Sequence, residues 1–213
     1  MAGLEPYALQ PEVRLAADLL ETLGIPVTAL VDYAEAVRER RARRIALLIR
    51  QGAEGSGLTP EQLLARAAED DLTGDFLEGA ATAAAKSRSD EQIAALARVL
   101  AVAAAGGDGA RADDLHAVLE ALTQLGPHEI RALHALEATG PVSRDSYDLP
   151  NVKEVITNEL DSASLAPVVE RRLGDLALVE SGAPVGRGGT EWHVVTEFGR
   201  RVLTFLATQP TDT

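Results

Sequence analysis

Apolar residues recur every three or four positions along most of the chain, which is the spacing that places them on one face of an α-helix. Capping residues and prolines stand just before these segments, and glycines stand just after them. In Thr59-Pro60-Glu61-Gln62, for example, a hydroxyl cap precedes a proline at the first helical position. The pattern predicts helices at 11–23, 26–51, 60–70, 75–86, 90–105, 113–125, 127–138, 151–160, 164–174 and 197–208.

The periodicity changes after residue 175. A short apolar run at 176–179 is followed by a glycine-rich stretch at 181–190 and by further apolar residues at 192–195. Two such runs on either side of glycines predict a β-hairpin with a long tip. The glycine-rich stretch at 106–112 marks a predicted border between two domains, 1–108 and 109–213. The fold class expected is mainly α, with a helical bundle first and the single β-hairpin in the second domain.

The second domain is expected to run helix, helix, helix, strand, glycine-rich loop, strand, helix. Its last part carries Leu173, Leu176, Leu178 and Val179 before the loop, and Thr196, Gly199, Val202, Leu203 and Leu206 after it. These residues in this order resemble the winged-helix regulators of the MarR type, and the resemblance implies a winged-helix-like domain. The family usually carries glycine where Ala177 stands. We expect Thr196 to cap the last helix and Gly199 to let that helix approach a neighbouring backbone.

A winged helix that reads DNA needs cations facing the phosphates and polar side chains that reach the base edges. The predicted recognition helix at 164–174 offers few of either. Its expected buried stripe is Leu165, Val168, Val169, Leu173 and Leu176, which leaves Ala163, Ala166, Pro167, Glu170 and Arg171 facing outward. We expect Arg172 to lay its stem along the edge of the buried stripe. The candidate nucleic-acid or partner contacts are Arg171, Arg187, Arg200 and Arg201.

Charge counts also disfavour DNA binding by this domain. Residues 113–161 carry three Lys or Arg against ten Asp or Glu, a net charge of −7, and residues 162–213 carry five against six, a net charge of −1. A segment at −7 repels a phosphate backbone within a Debye length, about 10 Å at ordinary salt. We therefore expect the domain to bind a protein partner or to pack in a dimer, with DNA reading as the alternative.

A cluster of basic residues lies on the predicted helix at 26–51. Its members are Arg38, Arg40, Arg41, Arg43 and Arg44. Glu35 and Glu39 stand three or four residues from these arginines, a spacing that favours ion pairs on a solvated helix face. The other interpretation is a basic patch for nucleic acid, for acidic lipid or for the acidic surface of a second copy of the protein.

The middle of the chain carries a second resemblance. Residues 82–106 and 112–133 form two capped, alanine- and leucine-rich segments. They resemble bacterial helical proteins of the abortive-infection alpha type, which are associated with phage defence. This resemblance implies an effector of phage defence or stress that acts at a membrane.

Composition excludes several kinds of chemistry. The net charge is −13, from 20 Lys and Arg against 33 Asp and Glu, and there is no cysteine, so disulfides, thiolate metal sites and cysteine nucleophiles are excluded. The histidines are His116, His128, His134 and His193. No two are spaced to bind a metal from one helix face. We expect His116 and His134 in the interior or at its boundary, and His193 facing solvent or the wing.

Neither a Gly-x-Ser-x-Gly motif nor the lysine of a phosphate-binding loop is present, so we expect no enzyme, no metal and no cofactor. The N-terminus lacks a signal-peptide pattern and no apolar run is long enough to span a bilayer, so we expect a cytoplasmic bacterial protein whose partner is not a membrane. The expected function is that of a non-enzymatic regulatory or scaffold protein, a homodimer acting through protein contacts. The alternatives are a DNA-binding transcriptional regulator and a phage-defence or membrane-acting effector.

Overall fold

A computed structural model describes residues 27–106, 109–143, 150–182 and 192–207. Within these ranges the chain is mainly helical, as the sequence predicts. The helices are α1 (Val27–Ser56), α2 (Pro60–Glu69), α3 (Asp71–Lys86), α4 (Asp90–Ala104), α5 (Gly109–Gln124), α6 (Pro127–Thr139), α7 (Val152–Leu160), α8 (Ala166–Asp175) and α9 (Glu197–Leu206). The strands are β1 (Val142–Ser143), β2 (Val179–Gly182) and β3 (Trp192–Val195). The predicted helix at 11–23 and most of the predicted hairpin tip lie outside the described residues.

Four helices begin at the capping residues that the sequence predicts. The side chains of Thr59, Ser89, Asn151 and Thr196 accept hydrogen bonds from backbone amides of the first turn. At Thr59 the capping box is complete, because the Gln62 side chain also accepts a hydrogen bond from the Thr59 amide at 2.8 Å. These bonds use amides that a helix leaves without partners at its N-terminus, so the caps fix where each helix starts.

Three predicted helix boundaries are wrong by four or five residues. Helix α5 begins at Gly109 and not at residue 113. Helix α1 continues through the predicted stop at Gly52 and ends before Gly57, which has a left-handed φ of 71°. Helix α3 begins at Asp71, not at residue 75, and its N-cap is Asp70, which accepts a hydrogen bond from the Thr73 amide at 3.0 Å. The Thr73 hydroxyl also donates to Asp70, and these bonds lower the pKa of the Asp70 carboxyl.

The strands form a small antiparallel sheet in the order β1-β3-β2. The pairing of β2 with β3 confirms the predicted hairpin, although β2 starts at Val179 and not at residue 176. The difference arises because 176–178 complete the end of α8. Ala177 has a left-handed φ of 55°, its amide donates to the Gly174 carbonyl at 2.9 Å, and the Leu178 amide donates to the Leu173 carbonyl at 3.0 Å. This pair of bonds is a Schellman motif, with Ala177 at the position that usually favours glycine.

Helix α9 lies directly against the end of α8. The Cβ of an alanine at position 199 would lie 2.3 Å from the Leu178 carbonyl oxygen, so the predicted close approach at Gly199 is confirmed. The Thr196 hydroxyl secures the same junction, since it donates to the Ala177 carbonyl at 2.8 Å and accepts from the Gly199 amide at 2.8 Å. The hairpin and α9 are thereby fixed to α8, the helix that carries the candidate site.

The chain divides into two compact units, Met1–Arg43 and Arg44–Thr213. The predicted domain border at residue 108 lies inside the second unit. One cluster of buried apolar side chains in this unit includes Phe76 and Leu96 before that border and Leu133 and Leu173 after it. Helix α4 packs against α3, α5 and α9, and most of its alanines are buried. Small side chains let the neighbouring helices approach it closely.

Candidate functional site

The outward face of α8 and the adjacent strands enclose a cleft of about 630 Å³. This face holds Pro167, Val168, Arg171 and Asp175, and the start of α7 adds Lys153. Val168 has 60% of its surface exposed, the largest fraction among the exposed large hydrophobic residues of the described chain. The cleft therefore combines an exposed apolar side chain with two cations and one exposed anion.

The exposed face of α8 differs from the predicted one. The buried residues are Ala166, Val169, Glu170 and Leu173, so Val168 faces outward, whereas Ala166 and Glu170, both predicted to face outward, are buried. The predicted stripe placed the valine inside and the glutamate outside, as their polarity favours. The structure reverses the two because the interior offers Glu170 a polar neighbour on β3.

That neighbour is His193, which was expected to face solvent or the wing. It is 5% exposed and Glu170 is 7% exposed, and His193 Nε2 lies 3.8 Å from Glu170 Oε1. The central strand β3 places His193 opposite Val142 on one side and Ser181 on the other. Sequence reasoning missed the pair because its members lie on separate elements.

The four candidate contact arginines do not share one surface environment. Arg171 is exposed in the cleft, whereas Arg200 Nε lies 3.0 Å from Glu137 Oε1 of α6. Arg201 Nη1 lies 2.7 Å from Asp114 Oδ2 of α5. Arg187 lies outside the described residues. The two arginines of α9 are thus paired with carboxylates of other helices, which reduces the positive charge they present to a phosphate.

Arg172 takes a different position from the expected one. Its side chain is half exposed and crosses to the turn between α5 and α6. There Nη2 donates to the Gln124 carbonyl at 2.7 Å, and Nη1 donates to Glu129 Oε1 at 3.3 Å. Glu129 is buried, and its other oxygen accepts a hydrogen bond from the Gly126 amide at 3.0 Å. Arg172 therefore links α8 to the start of α6.

The basic cluster of α1 separates into two parts. Arg38, Arg40, Arg41 and Arg43 are exposed and belong to the first unit. In the portion of the chain that the structure describes, no carboxylate oxygen lies within the 4.0 Å ion-pair distance of their guanidinium nitrogens. Arg44 is half-buried in the second unit, where its Nη1 donates to the Ala85 carbonyl of α3 at 3.4 Å. Arg44 therefore differs from the exposed arginines, because it donates a hydrogen bond to another helix.

Two further histidines lie at the surface and not in the interior. His116 is exposed on one side and stacks on the buried ring of Phe76, with ring centroids 4.2 Å apart. His134 is exposed and its Nε2 lies 3.1 Å from Glu91 Oε1. Among the described residues no group of three or more His, Asp or Glu side chains is arranged to hold a metal ion.

None of the described helices combines the length and the apolar character needed to cross a membrane.

The α8 cleft, with its exposed valine and its buried Glu170–His193 pair, is the candidate site that the structure presents. No protein family, curated protein or solved structure matches this chain.

Proposed function

We propose that the chain is a non-enzymatic regulatory or scaffold protein that forms a homodimer through the outward face of α8 in a winged-helix-like domain. The observation that carries this proposal is the exposure of Val168 on that face. Isolation of such a side chain from water stabilises a complex by about 1.5 to 3 kcal/mol when burial is complete.

The order of elements supports the winged-helix part of the proposal. Helices α6, α7 and α8 are followed by the hairpin β2–β3 and by α9, which is the order of that fold, and β1 adds a third strand beside β3. The left-handed backbone of Ala177 supports it independently, because this is the position at which the resembled family carries glycine.

The charges on the face favour a protein over DNA. Recognition of base edges needs polar side chains on the outward face of the helix, and here Pro167 and Val168 take two of the positions, beside one cation, Arg171, and one anion, Asp175. The cations of α9 are paired with Glu137 and Asp114, so they add little to a basic surface. Protein interfaces instead bury apolar side chains among polar ones, and on this face the exposed Val168 lies three residues from Arg171 and seven from Asp175.

A second copy of the chain is the partner that fits this face. In a twofold dimer the same surface meets itself, so it must be complementary to its own charges. The face carries both signs, with Arg171 and Lys153 near Asp175. An arginine of one copy can therefore pair with an aspartate of the other while the two Val168 side chains are buried between them.

Sedimentation equilibrium tests the dimer. We expect the wild type to dimerise and Val168→Asp to be monomeric, because a carboxylate at the centre of the interface would be buried without a partner. Leu64→Asp is the matched control, since Leu64 is an exposed hydrophobic residue of α2, 45% exposed. A monomeric wild type, or a Val168→Asp variant that dimerises as well as the control, would overturn the proposal.

The DNA-binding alternative rests on the exposed cations Lys153 and Arg171 beside α8. A gel-shift assay with genomic fragments at low and physiological salt separates the two functions. Under our proposal the wild type gives no saturable retention. Saturable, salt-sensitive retention that is lost on combining Arg171→Ala with Arg187→Ala would establish the alternative instead.

A further inference from the structure

We propose that a second cleft of this protein binds a small organic anion through a phosphate or carboxylate group. The cleft has a volume of about 690 Å³ and lies between α3, the turn from α3 to α4, the turn from α5 to α6, and one side chain of α8. Small-molecule sites in proteins have volumes of about 300 to 1,000 Å³. The inference goes beyond the proposed function and does not depend on the face that carries Val168.

Three cationic side chains from separate segments line this cleft. They are Lys86 at the end of α3, Arg88 in the turn that follows, and Arg172 of α8. Across the described ranges, no carboxylate oxygen lies within 4.0 Å of the charged nitrogens of Lys86 or Arg88. The grouping is notable in a chain whose net charge is −13. A negative group that enters the cleft is attracted by each of these cations and reduces the repulsion among them.

Buried hydrogen bonds hold the walls of the cleft in place. The Gln92 side-chain nitrogen donates to the carbonyls of Leu122 at 2.6 Å and Leu125 at 2.8 Å, and the Ser87 hydroxyl donates to Gln92 Oε1 at 2.6 Å. These bonds join the turn that carries Arg88 to the end of α5. A site whose walls are fixed in advance loses less conformational entropy when a ligand binds.

The end of α5 does not oppose an anion. The last carbonyls of a helix carry the negative end of its dipole and would repel a negative group. Here the Leu122 and Leu125 carbonyls accept hydrogen bonds from Gln92, and the Gln124 carbonyl accepts one from Arg172 at 2.7 Å. Arg172 is also bonded to Glu129, so its guanidinium is fixed and partly neutralised. Lys86 and Arg88 supply the remaining positive charge.

Two carboxylates restrict where the anionic group can bind. Asp75 and Glu78 line the same cleft on α3, eight to eleven residues before Lys86. At 1.5 Å per residue these positions lie about 12 to 16 Å away along the helix. The negative group of a ligand is therefore confined to the end formed by Lys86 and Arg88, and the rest of the ligand must be neutral or cationic.

Isothermal titration calorimetry with glycerol 3-phosphate and with glycerate as probes tests the site and distinguishes phosphate from carboxylate recognition, because each probe joins one anionic group to a neutral remainder. The variant is Lys86→Ala with Arg88→Ala, and the matched control is Arg40→Ala with Arg41→Ala, which removes two exposed cations that line neither cleft. We expect saturable binding of at least one probe, weakened about tenfold or more in the variant and about twofold or less in the control.

Circular dichroism checks that each protein is folded. The single variants Lys86→Ala and Arg88→Ala are titrated as well, so that the inference can still be tested if the double variant does not fold. Absence of saturable binding of both probes to the wild type would overturn the inference. An equal loss in the variant and the control would also overturn it, because the binding would then follow net charge and not this cleft.

Discussion

Ala177→Gly is expected to stabilise the protein, although it removes a side chain. Ala177 has a φ of 55° at the end of α8, and a left-handed backbone costs a residue with a Cβ about 1 to 2 kcal/mol. Glycine avoids that cost but loses about 0.5 to 1 kcal/mol more backbone freedom on folding. The net expectation is a gain of about 0.5 to 1 kcal/mol, or a rise in Tm of about 1 to 4 °C for a chain of this length.

Urea unfolding followed by far-UV circular dichroism measures this gain. Gly174→Ala is the control, because Gly174 lies in the same helix and an added Cβ would meet no heavy atom within 4 Å. The control replaces glycine by a better helix former, so it should also stabilise, by about 0.5 kcal/mol. One substitution replaces alanine by glycine and the other replaces glycine by alanine, at positions three residues apart. If Ala177→Gly lowers the unfolding free energy while the control raises it, the argument from the left-handed backbone is refuted.

Three further substitutions test other parts of the fold. Gln92→Leu should cost about 2 to 4 kcal/mol by urea unfolding, because two buried carbonyls lose their donor, while Gln124→Leu at an exposed position should change stability by less than about 0.5 kcal/mol. Gly199→Ala should cost about 3 kcal/mol or more in the same assay, since its Cβ would overlap a backbone carbonyl. The pKa of Asp70 lies below its ordinary 3.8, so the ionised carboxylate stabilises the folded state above that pH and this contribution is lost as the pH falls through the folded-state pKa. The stability difference between wild type and Asp70→Asn should therefore be constant near neutral pH and shrink below about pH 4. A difference that stays unchanged at low pH would contradict the role of the Asp70 carboxylate. Wild-type stability in Gln92→Leu or in Gly199→Ala would contradict the corresponding prediction.

The helices could be predicted because their signals are local. Thr59, Ser89, Asn151 and Thr196 each cap a helix with an amide two or three residues away, so the bond can be recognised from neighbouring letters. Strand β1 could not be predicted in this way. Its two residues have no periodicity of their own, and they form a strand because they pair with β3, about fifty residues further along the chain.

The candidate sites depend on contacts that the sequence does not display. Polarity alone places Glu170 outside, and only its position beside His193 of β3 explains its burial. The proposed anion cleft likewise brings Arg172 of α8 to the end of α5, although Arg172 is 84 residues from Arg88 in the printed sequence. By contrast, Arg171 could be identified as exposed on α8 from helical spacing, because a lone arginine has no competing place in an apolar interior.

The contact between α4 and α9 has a consequence for synthesis on the ribosome. Arg98 of α4 donates a hydrogen bond to the carbonyl of Phe205, a residue 107 positions later. Until α9 has left the exit tunnel, the surface of α4 that it covers stays open to water in the nascent chain. Completion of this core therefore waits for the synthesis of α9, and until then a chaperone that shields apolar helices can bind the uncovered surface of α4.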